Sequence, residues 1–276
     1  MNLVIQGPEV ETTDLKALAK LAGASSIEAI TPTAFRLINA APHPDIAPYC
    51  ERVQLDCGFV PPERKLADLR LCVMDMDSTL ITIECIDEIA DMQGLKPQVA
   101  AITAAAMRGE LDYPQSLRQR VALLKGLEAG ALQRVYDERL RLSPGADAML
   151  AKFRQLGVTT LLVSGGFTFF TERMKDRLKL DFTRSNVLAI ENGRLTGEVI
   201  GEIVDADVKR TALLHARDEL GVQQEAVLAL GDGANDLKFM AEAGVSVAYR
   251  AKPVVRAQAT HALNFSGLDG VLHLFS

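Results

Sequence analysis

Leu71-Cys72-Val73-Met74-Asp75-Met76-Asp77-Ser78-Thr79-Leu80 is the stretch on which the fold turns. Four apolar residues in succession suit a short strand buried on both faces, as in a parallel sheet. Two carboxylates follow, one residue apart. In an extended chain, positions two apart face the same side, so Asp75 and Asp77 overhang the strand's carboxyl end together. That edge is where open α/β sheets bind ligands. Two carboxylates held so close do not both ionise comfortably without a cation, and one tends to keep its proton. The hydroxyls of Ser78 and Thr79 suit phosphate oxygens or cap the turn. An Asp-x-Asp after an apolar run also arises by chance, so the rest of the chain has to decide.

The same pattern recurs downstream. Val158–Val163 reads as a second buried strand ending in Ser164-Gly165-Gly166, and Ala226–Leu230 as a third ending in Gly231-Asp232-Gly233-Ala234-Asn235-Asp236. Val245–Ala248 is a further strand, and Glu191-Asn192-Gly193 marks a hairpin between 187–190 and 194–197. Helical patterns separate these strands, with helices expected over Ser143–Gly157, from Gly165-Gly166 onward, and over Asp207–Leu220. The alternation predicts an α/β fold built on a doubly wound parallel sheet, over residues 66–84 and 142–276. Between the first two strands, residues 85–141 are mostly helical: Ile86, Ile89 and Ala90, then Val99 and Ile102, then Leu117, Val121 and Leu124 keep helical spacing.

Residues 1–65 read as a separate α+β unit. A strand over Asn2–Gln6, a helix over Thr13–Ala22, a hairpin around Thr31-Pro32-Thr33, a helix over Ile46–Leu55 and a strand at Phe59-Val60 give the order βαββαβ of a ferredoxin-like module. Pro61-Pro62-Glu63-Arg64 reads as a stiff linker. Nothing in this unit reads as catalytic, and His43 between two prolines suits a solvated loop.

Composition narrows the function classes. A chain of 276 residues with 48% hydrophobic content builds a substantial core in one large or two unequal domains. A net charge of −6 argues against nucleic acid and anionic membranes as partners, so any phosphate must meet local positive charge. The four cysteines, Cys50, Cys57, Cys72 and Cys85, lack metal or disulfide spacing and suit a reducing cytoplasm. No stretch reads as a signal peptide, and no apolar run approaches the ~20 residues of a membrane span.

Chemistry then selects a site. A carboxylate attacks a phosphate dianion only when that charge is neutralised, and Mg²⁺, a hard ion that takes carboxylate and phosphate oxygens, is the natural agent. Asp232, beyond its own apolar strand and flanked by glycines, is the best second carboxylate after Asp75. Ser164 and Gly165 stand where a hydroxyl and free N–H groups hold an anion, although a Ser-Gly loop there is also ordinary.

Asp75-Met76-Asp77-Ser78-Thr79 resembles the first motif of the haloacid dehalogenase superfamily, and the continuation through Glu84 with Gln115-Ser116-Leu117-Arg118-Gln119-Arg120-Val121 resembles its phosphoserine phosphatases. The resemblance runs from about Leu71 to the carboxyl end. It implies a Rossmannoid core, with residues 85–141 as a helical cap over the site. Asp75 is then the nucleophile, and Asp77 the acid and base whose backbone carbonyl joins Asp75 and Asp232 around Mg²⁺. Lys209 becomes the lysine that holds nucleophile and phosphate charge together; residue type alone leaves Lys175, Lys179 and Arg210 as rivals. Asn235 contacts substrate, and Asp236 supports Lys209 or the metal surroundings. Glu84 and Arg120 match the residues that take the ammonium and carboxylate of O-phospho-L-serine. Helix-dipole stabilisation is the plainer account of Glu84, and snorkelling that of Arg120. Residues 1–65 are similar in pattern to small ACT-like amino-acid-binding domains.

The expectation is a cytoplasmic, Mg²⁺-dependent hydrolase of O-phospho-L-serine, the last step of serine biosynthesis, with no nucleic-acid or membrane partner and with a homodimer left open. A transferase passing the phosphoryl group to an acceptor such as homoserine, and a phosphatase for another small phosphomonoester, share the Asp75 chemistry. A phospho-accepting signalling module also carries an aspartate at a strand end, but needs neither the insertion nor the Glu84–Arg120 pair.

Overall fold

A computed structural model describes residues 1–276. Strand β1 (Asn2–Gln6), helix α1 (Thr12–Leu21), β2 (Ser26–Thr31), β3 (Ala34–Ile38), α2 (Ile46–Arg52) and β4 (Asp56–Val60) form the first unit, a four-stranded antiparallel sheet in the order β2-β3-β1-β4. Alternation explains its core: Leu3 and Ile5 of β1 face Leu15 and Leu18 of α1 and Ile46 and Cys50 of α2. Val4, between them, turns to the other face and joins the core of the rest of the chain.

The second sheet has seven strands in the order β11-β10-β9-β5-β6-β7-β8. They are β5 (Leu71–Met74), β6 (Thr159–Phe167), β7 (Phe182–Glu191), β8 (Arg194–Ile200), β9 (Val227–Gly231), β10 (Val245–Tyr249) and β11 (His261–Leu263). All adjacent pairs are parallel except β7 with β8, joined at the expected Asn192-Gly193 turn. The central strand is apolar throughout because both its faces are covered. Cys72 and Met74 pack toward α7 (Ala146–Leu156) and α8 (Thr168–Leu178), whereas Leu71 and Val73 pack toward α9 (Ala206–Leu220), α10 (Leu237–Met240) and α11 (Pro253–Arg256). This is a mostly parallel sheet wound on both sides.

Between β5 and α7 the chain forms α3 (Cys85–Asp91), α4 (Lys96–Met107), α5 (Tyr113–Ala122) and α6 (Gly130–Arg134). Asp112 starts α5 with a reciprocal cap: its carboxylate accepts from Gln115 N–H at 2.7 Å, and the Gln115 side chain accepts from Asp112 N–H at 3.2 Å. Leu117, Val121 and Leu124 share a core with Met74 and Phe153, so the insertion is packed on the sheet rather than tethered above it. The segment after α5 pairs with the β7–β8 hairpin: Gly126 N–H donates to Leu195 O at 2.8 Å, and Leu195 N–H to Leu127 O at 2.8 Å.

Several boundaries differ from the sequence expectation: α2 stops at Arg52 rather than Leu55, β4 begins at Asp56 rather than Phe59, and β7 begins at Phe182 rather than Val187. The second strand runs on through Gly165-Gly166 to Phe167, and α8 opens at Thr168 rather than at the glycines. A register shift between Val163 and Phe167 absorbs the glycines as an irregularity within the strand. The short β11, which adds to the sheet beside β10, carries too little sequence pattern to be expected.

The first unit is also docked by polar contacts that composition does not reveal. Asp56 of β4 is buried and accepts from the backbone N–H groups of Asn264, Phe265 and Ser266 at 2.7, 3.1 and 2.8 Å. Arg64, in the linker, meets Nε2 of His261 at 3.0 Å. Burial first, and the Arg64 charge second, push His261 down to about 4, so it sits there neutral.

Candidate active site

β5 ends at Met74, and Asp75 N–H continues the ladder by donating to Leu230 O at 3.0 Å. The chain then makes one wide turn, closed by Ile81 N–H on Met76 O at 3.0 Å, with Ser78 at φ +58°. Ser78 accepts that left-handed conformation where β-branched residues would be strained. Through this turn Asp75 and Asp77 both reach a cleft of about 190 Å³.

The cleft gathers Asp75, Asp77, Glu84, Arg120, Ser164, Gly165, Asp232 and Asn235, from five separate stretches of sequence. Lys209 lies behind them. It is fully buried on α9, and its ammonium donates to Asp75 Oδ1 at 2.6 Å and to Asp236 Oδ1 at 2.8 Å. Of the basic residues that sequence left as rivals, Lys209 is the one fixed to the strand-end acids. Burial opposes its charge, but the two carboxylates outweigh that cost and hold its pKa above the ordinary lysine value.

Carboxylate oxygens of Asp75, Asp232 and Asp236 lie within 4.8 Å of one another, a donor set suited to a hard divalent cation. Asp236 is already committed. One oxygen takes Lys209, while the other accepts from Asp232 N–H at 3.2 Å and Gly233 N–H at 3.0 Å. Asp75 and Asp232 are therefore the carboxylates with oxygens to spare. A Cβ at Gly231 would collide with Asp236, which is why that turn takes a glycine.

Asp77 stands apart from this trio. Its Oδ2 accepts from Cys85 N–H at 3.2 Å, and its Oδ1 is buried with no hydrogen-bond partner. Burial, then the charge of Glu84, raise its carboxyl to about 8, so it carries a proton at neutral pH. Asp232 is raised to about 6, by burial first and then by Asp236. For Asp75, burial raises the carboxyl well above its ordinary value, and the Lys209 ammonium at 2.6 Å works against that rise by favouring the ionised form. One acid that keeps its proton thus sits two residues from a carboxylate paired with a lysine.

On the anion-binding side, Ser164 is fully buried and its oxygen accepts from Gly166 N–H at 2.8 Å. Its own hydroxyl proton remains available to a ligand in the cleft. Toward the inserted helices, Arg120 makes one long contact, with Ser116 O at 3.4 Å, and Glu84 Oε1 accepts from Ser78 Oγ at 2.6 Å. Ser78 thus serves an acid of the cleft, as does Thr79, which reaches Asp232 Oδ1 at 3.4 Å.

Three participants escaped the sequence reading. Asn186 is fully buried on β7. Its Nδ2 donates to Gly165 O at 2.8 Å and its Oδ1 accepts from Val204 N–H at 2.8 Å, which fixes the glycine turn. Tyr113, the first residue of α5, donates from its hydroxyl to the same carbonyl at 3.3 Å. Any side chain at Gly165 would strike that hydroxyl. Lys252 lines the cleft beside Asp232. None of the three left a local signal: Asn186 follows Thr183-Arg184-Ser185, where one more polar residue does not stand out.

Comparison with known proteins agrees with this geometry. Residues 69–244 match the family model of haloacid dehalogenase-like hydrolases, and residues 3–46 match a domain of unknown function. A phosphoserine phosphatase of Polaromonas sp. is 55% identical over 218 residues, covering 77% of this chain and 92% of that one. The crystal structure of a probable phosphoserine phosphatase from Vibrio cholerae, unliganded, superposes with a TM-score of 0.87 at 36% identity, covering 99% of this chain and 85% of that one. A substrate-bound phosphoserine phosphatase superposes with a TM-score of 0.70 at 34% identity, over 75% of this chain and 99% of that one.

Proposed function

The chain belongs to the haloacid dehalogenase-like hydrolase family, among its phosphoserine phosphatases, and on that premise we propose how it hydrolyses O-phospho-L-serine to L-serine and phosphate. The observation that carries the reading is the juxtaposition of a lysine-paired carboxylate, Asp75, with a carboxyl that keeps its proton, Asp77.

Asp75 Oδ1 is held by Lys209, which leaves Oδ2 to attack phosphorus. The bond from phosphorus to the serine oxygen breaks as the new P–O bond forms, and Asp77 delivers its proton to the leaving alkoxide. In the second half, Asp77, now ionised, takes a proton from water as that water attacks the aspartyl-phosphate. Phosphate leaves, and both side chains return to their starting states. Lys209 offsets the negative charge gathered on Asp75 and the phosphoryl oxygens, while the Ser164 hydroxyl and Gly165 N–H hold those oxygens. Asp75, Asp232 and the Asp77 carbonyl would hold a divalent cation, Mg²⁺ by the hardness of this donor set, and the ion when bound supplies charge neutralisation to the phosphoryl group.

Glu84 and Arg120 take the two ends of the amino acid, ammonium and carboxylate, and Asn235 contacts the substrate nearby. Residues 85–141 act as the cap, residues 66–84 and 142–276 as the catalytic core, and residues 1–65 as an accessory unit. No helix is long and apolar enough to cross a membrane.

Phosphate release from O-phospho-L-serine, measured with Mg²⁺ and after chelation by EDTA, tests the reading. Release in Mg²⁺ that stops on chelation supports it. Release unchanged by chelation removes the cation, and no release from phosphoserine removes the substrate.

A further inference from the structure

We propose that Lys252 captures the phosphoryl group of the incoming substrate, countering the carboxylates that otherwise dominate the cleft lining. The inference rests on the reading of the cleft as a phosphomonoester site and adds a residue to it. Of the cations around the cleft, Lys209 is fully buried between Asp75 and Asp236, and Arg120 stands on α5. Lys252 is exposed, lines the cleft, and forms no ion pair with any carboxylate.

Its backbone is pinned although its side chain is free. Lys252 N–H donates to Asp232 O at 3.2 Å, and its carbonyl accepts from Val255 N–H at 2.9 Å and Arg256 N–H at 3.1 Å. Pro253 stiffens the next step of the chain. The Cα therefore keeps its place beside Asp232, one of the two carboxylates with oxygens to spare, while the ammonium can swing into the cleft.

Charge balance shows why such a group is needed there. Asp75, Glu84 and Asp232 line the cleft beside the protonated Asp77, and the facing cations are Arg120 and Lys252. With Arg120 occupied by the carboxylate end of the amino acid, Lys252 is the accessible side chain left to attract the phosphate dianion. A charge at a concave acidic entrance acts on encounter and on ground-state binding, and salt weakens it.

The test uses the Mg²⁺-loaded enzyme with Lys252→Met and Lys252→Arg. Kinetics are measured on O-phospho-L-serine and on p-nitrophenyl phosphate at about 0.02 M and about 0.3 M salt. Inhibition by inorganic phosphate is read in parallel. In Lys252→Met, kcat/KM falls about tenfold for both substrates at low salt, mostly through KM, and the gap narrows at high salt. Inorganic phosphate inhibits more weakly by a similar factor, and Lys252→Arg restores both. Phosphate affinity and kcat/KM within twofold of wild type overturn the proposal. So does a loss confined to kcat, or one confined to phosphoserine, which would place Lys252 at the amino-acid end. Should the wild type leave phosphoserine intact, the substrate reading fails alone. Calorimetric titration of inorganic phosphate into wild type and Lys252→Met still decides the role of Lys252.

Discussion

The floor and the roof of the cleft are built on different terms. On the floor, Lys209 spans Asp75 and Asp236, Asp236 also ties down the turn at Asp232 and Gly233, and the Gly165 carbonyl is held by Asn186 and, from α5, by Tyr113. On the roof, Arg120 has one long contact within its own helix, and Glu84 has a single hydroxyl. In the proposed reading the floor meets the group common to all phosphomonoesters, and its charges are fixed in place without substrate. In the same reading the roof meets what distinguishes one substrate from another, and its charges are the sparsely bonded ones. If this contrast holds, floor substitutions damage chemistry and stability together, whereas roof substitutions damage selectivity alone.

The largest effect belongs to Asp75→Asn. An amide does not attack phosphorus, so turnover drops by about 10⁴-fold or more, equally for phosphoserine and p-nitrophenyl phosphate. Steady-state rates on the two substrates check this, and activity retained on either would place the nucleophile elsewhere.

Next comes Lys209→Met, which strands two buried carboxylates. Breaking a buried pair by removing one partner costs about 3–5 kcal/mol, and chemical denaturation of the metal-free protein reads that loss directly. A change below ~1 kcal/mol would mean that the floor is not prepaid by this lysine. Arg120→Ala is the roof counterpart. Losing a charged hydrogen bond to the substrate carboxylate lowers kcat/KM for phosphoserine by about 10–100-fold. Stability shifts by less than ~0.5 kcal/mol, as at a surface site, and p-nitrophenyl phosphate hydrolysis stays within about threefold of wild type. Equal losses on both substrates would erase the distinction between floor and roof.

What sequence revealed follows the same division. The strand-end acids were legible because an apolar run that stops in a carboxylate is a local pattern, set by the burial of both strand faces. Glu84 and Arg120 were legible only through resemblance, since helix-terminal and helix-face charges have solvated explanations of equal standing. The contacts of Tyr113 and Asn186 with Gly165 link residues 52 and 21 positions apart, and no local period encodes them. The docking of the first unit was invisible for the same reason: Asp56 reaches amides more than 200 positions away. Gly165-Gly166 reads as a strand end because glycine weakens strands, yet here the pair forms an irregularity that lets the chain pass under Tyr113.

The finest test concerns the proton on Asp77, where floor and roof are coupled. Its carboxyl is raised to about 8, by burial first and by Glu84 next, against an ordinary value of 3.8. Between those values the folded protein binds a proton that the unfolded chain has released, so folding stability falls as pH rises through this window. In metal-free protein the contribution is at most about 1.4 kcal/mol per pH unit. Denaturation at several pH values between about 5 and about 8 should therefore give wild type a steeper decline than Asp77→Asn, whose amide oxygen can still accept from Cys85 N–H. Glu84→Gln should fall between the two, because it removes the nearby charge and leaves the burial in place. Equal slopes in wild type and Asp77→Asn would mean that Asp77 is already ionised, and the leaving alcohol would then have to find its proton elsewhere.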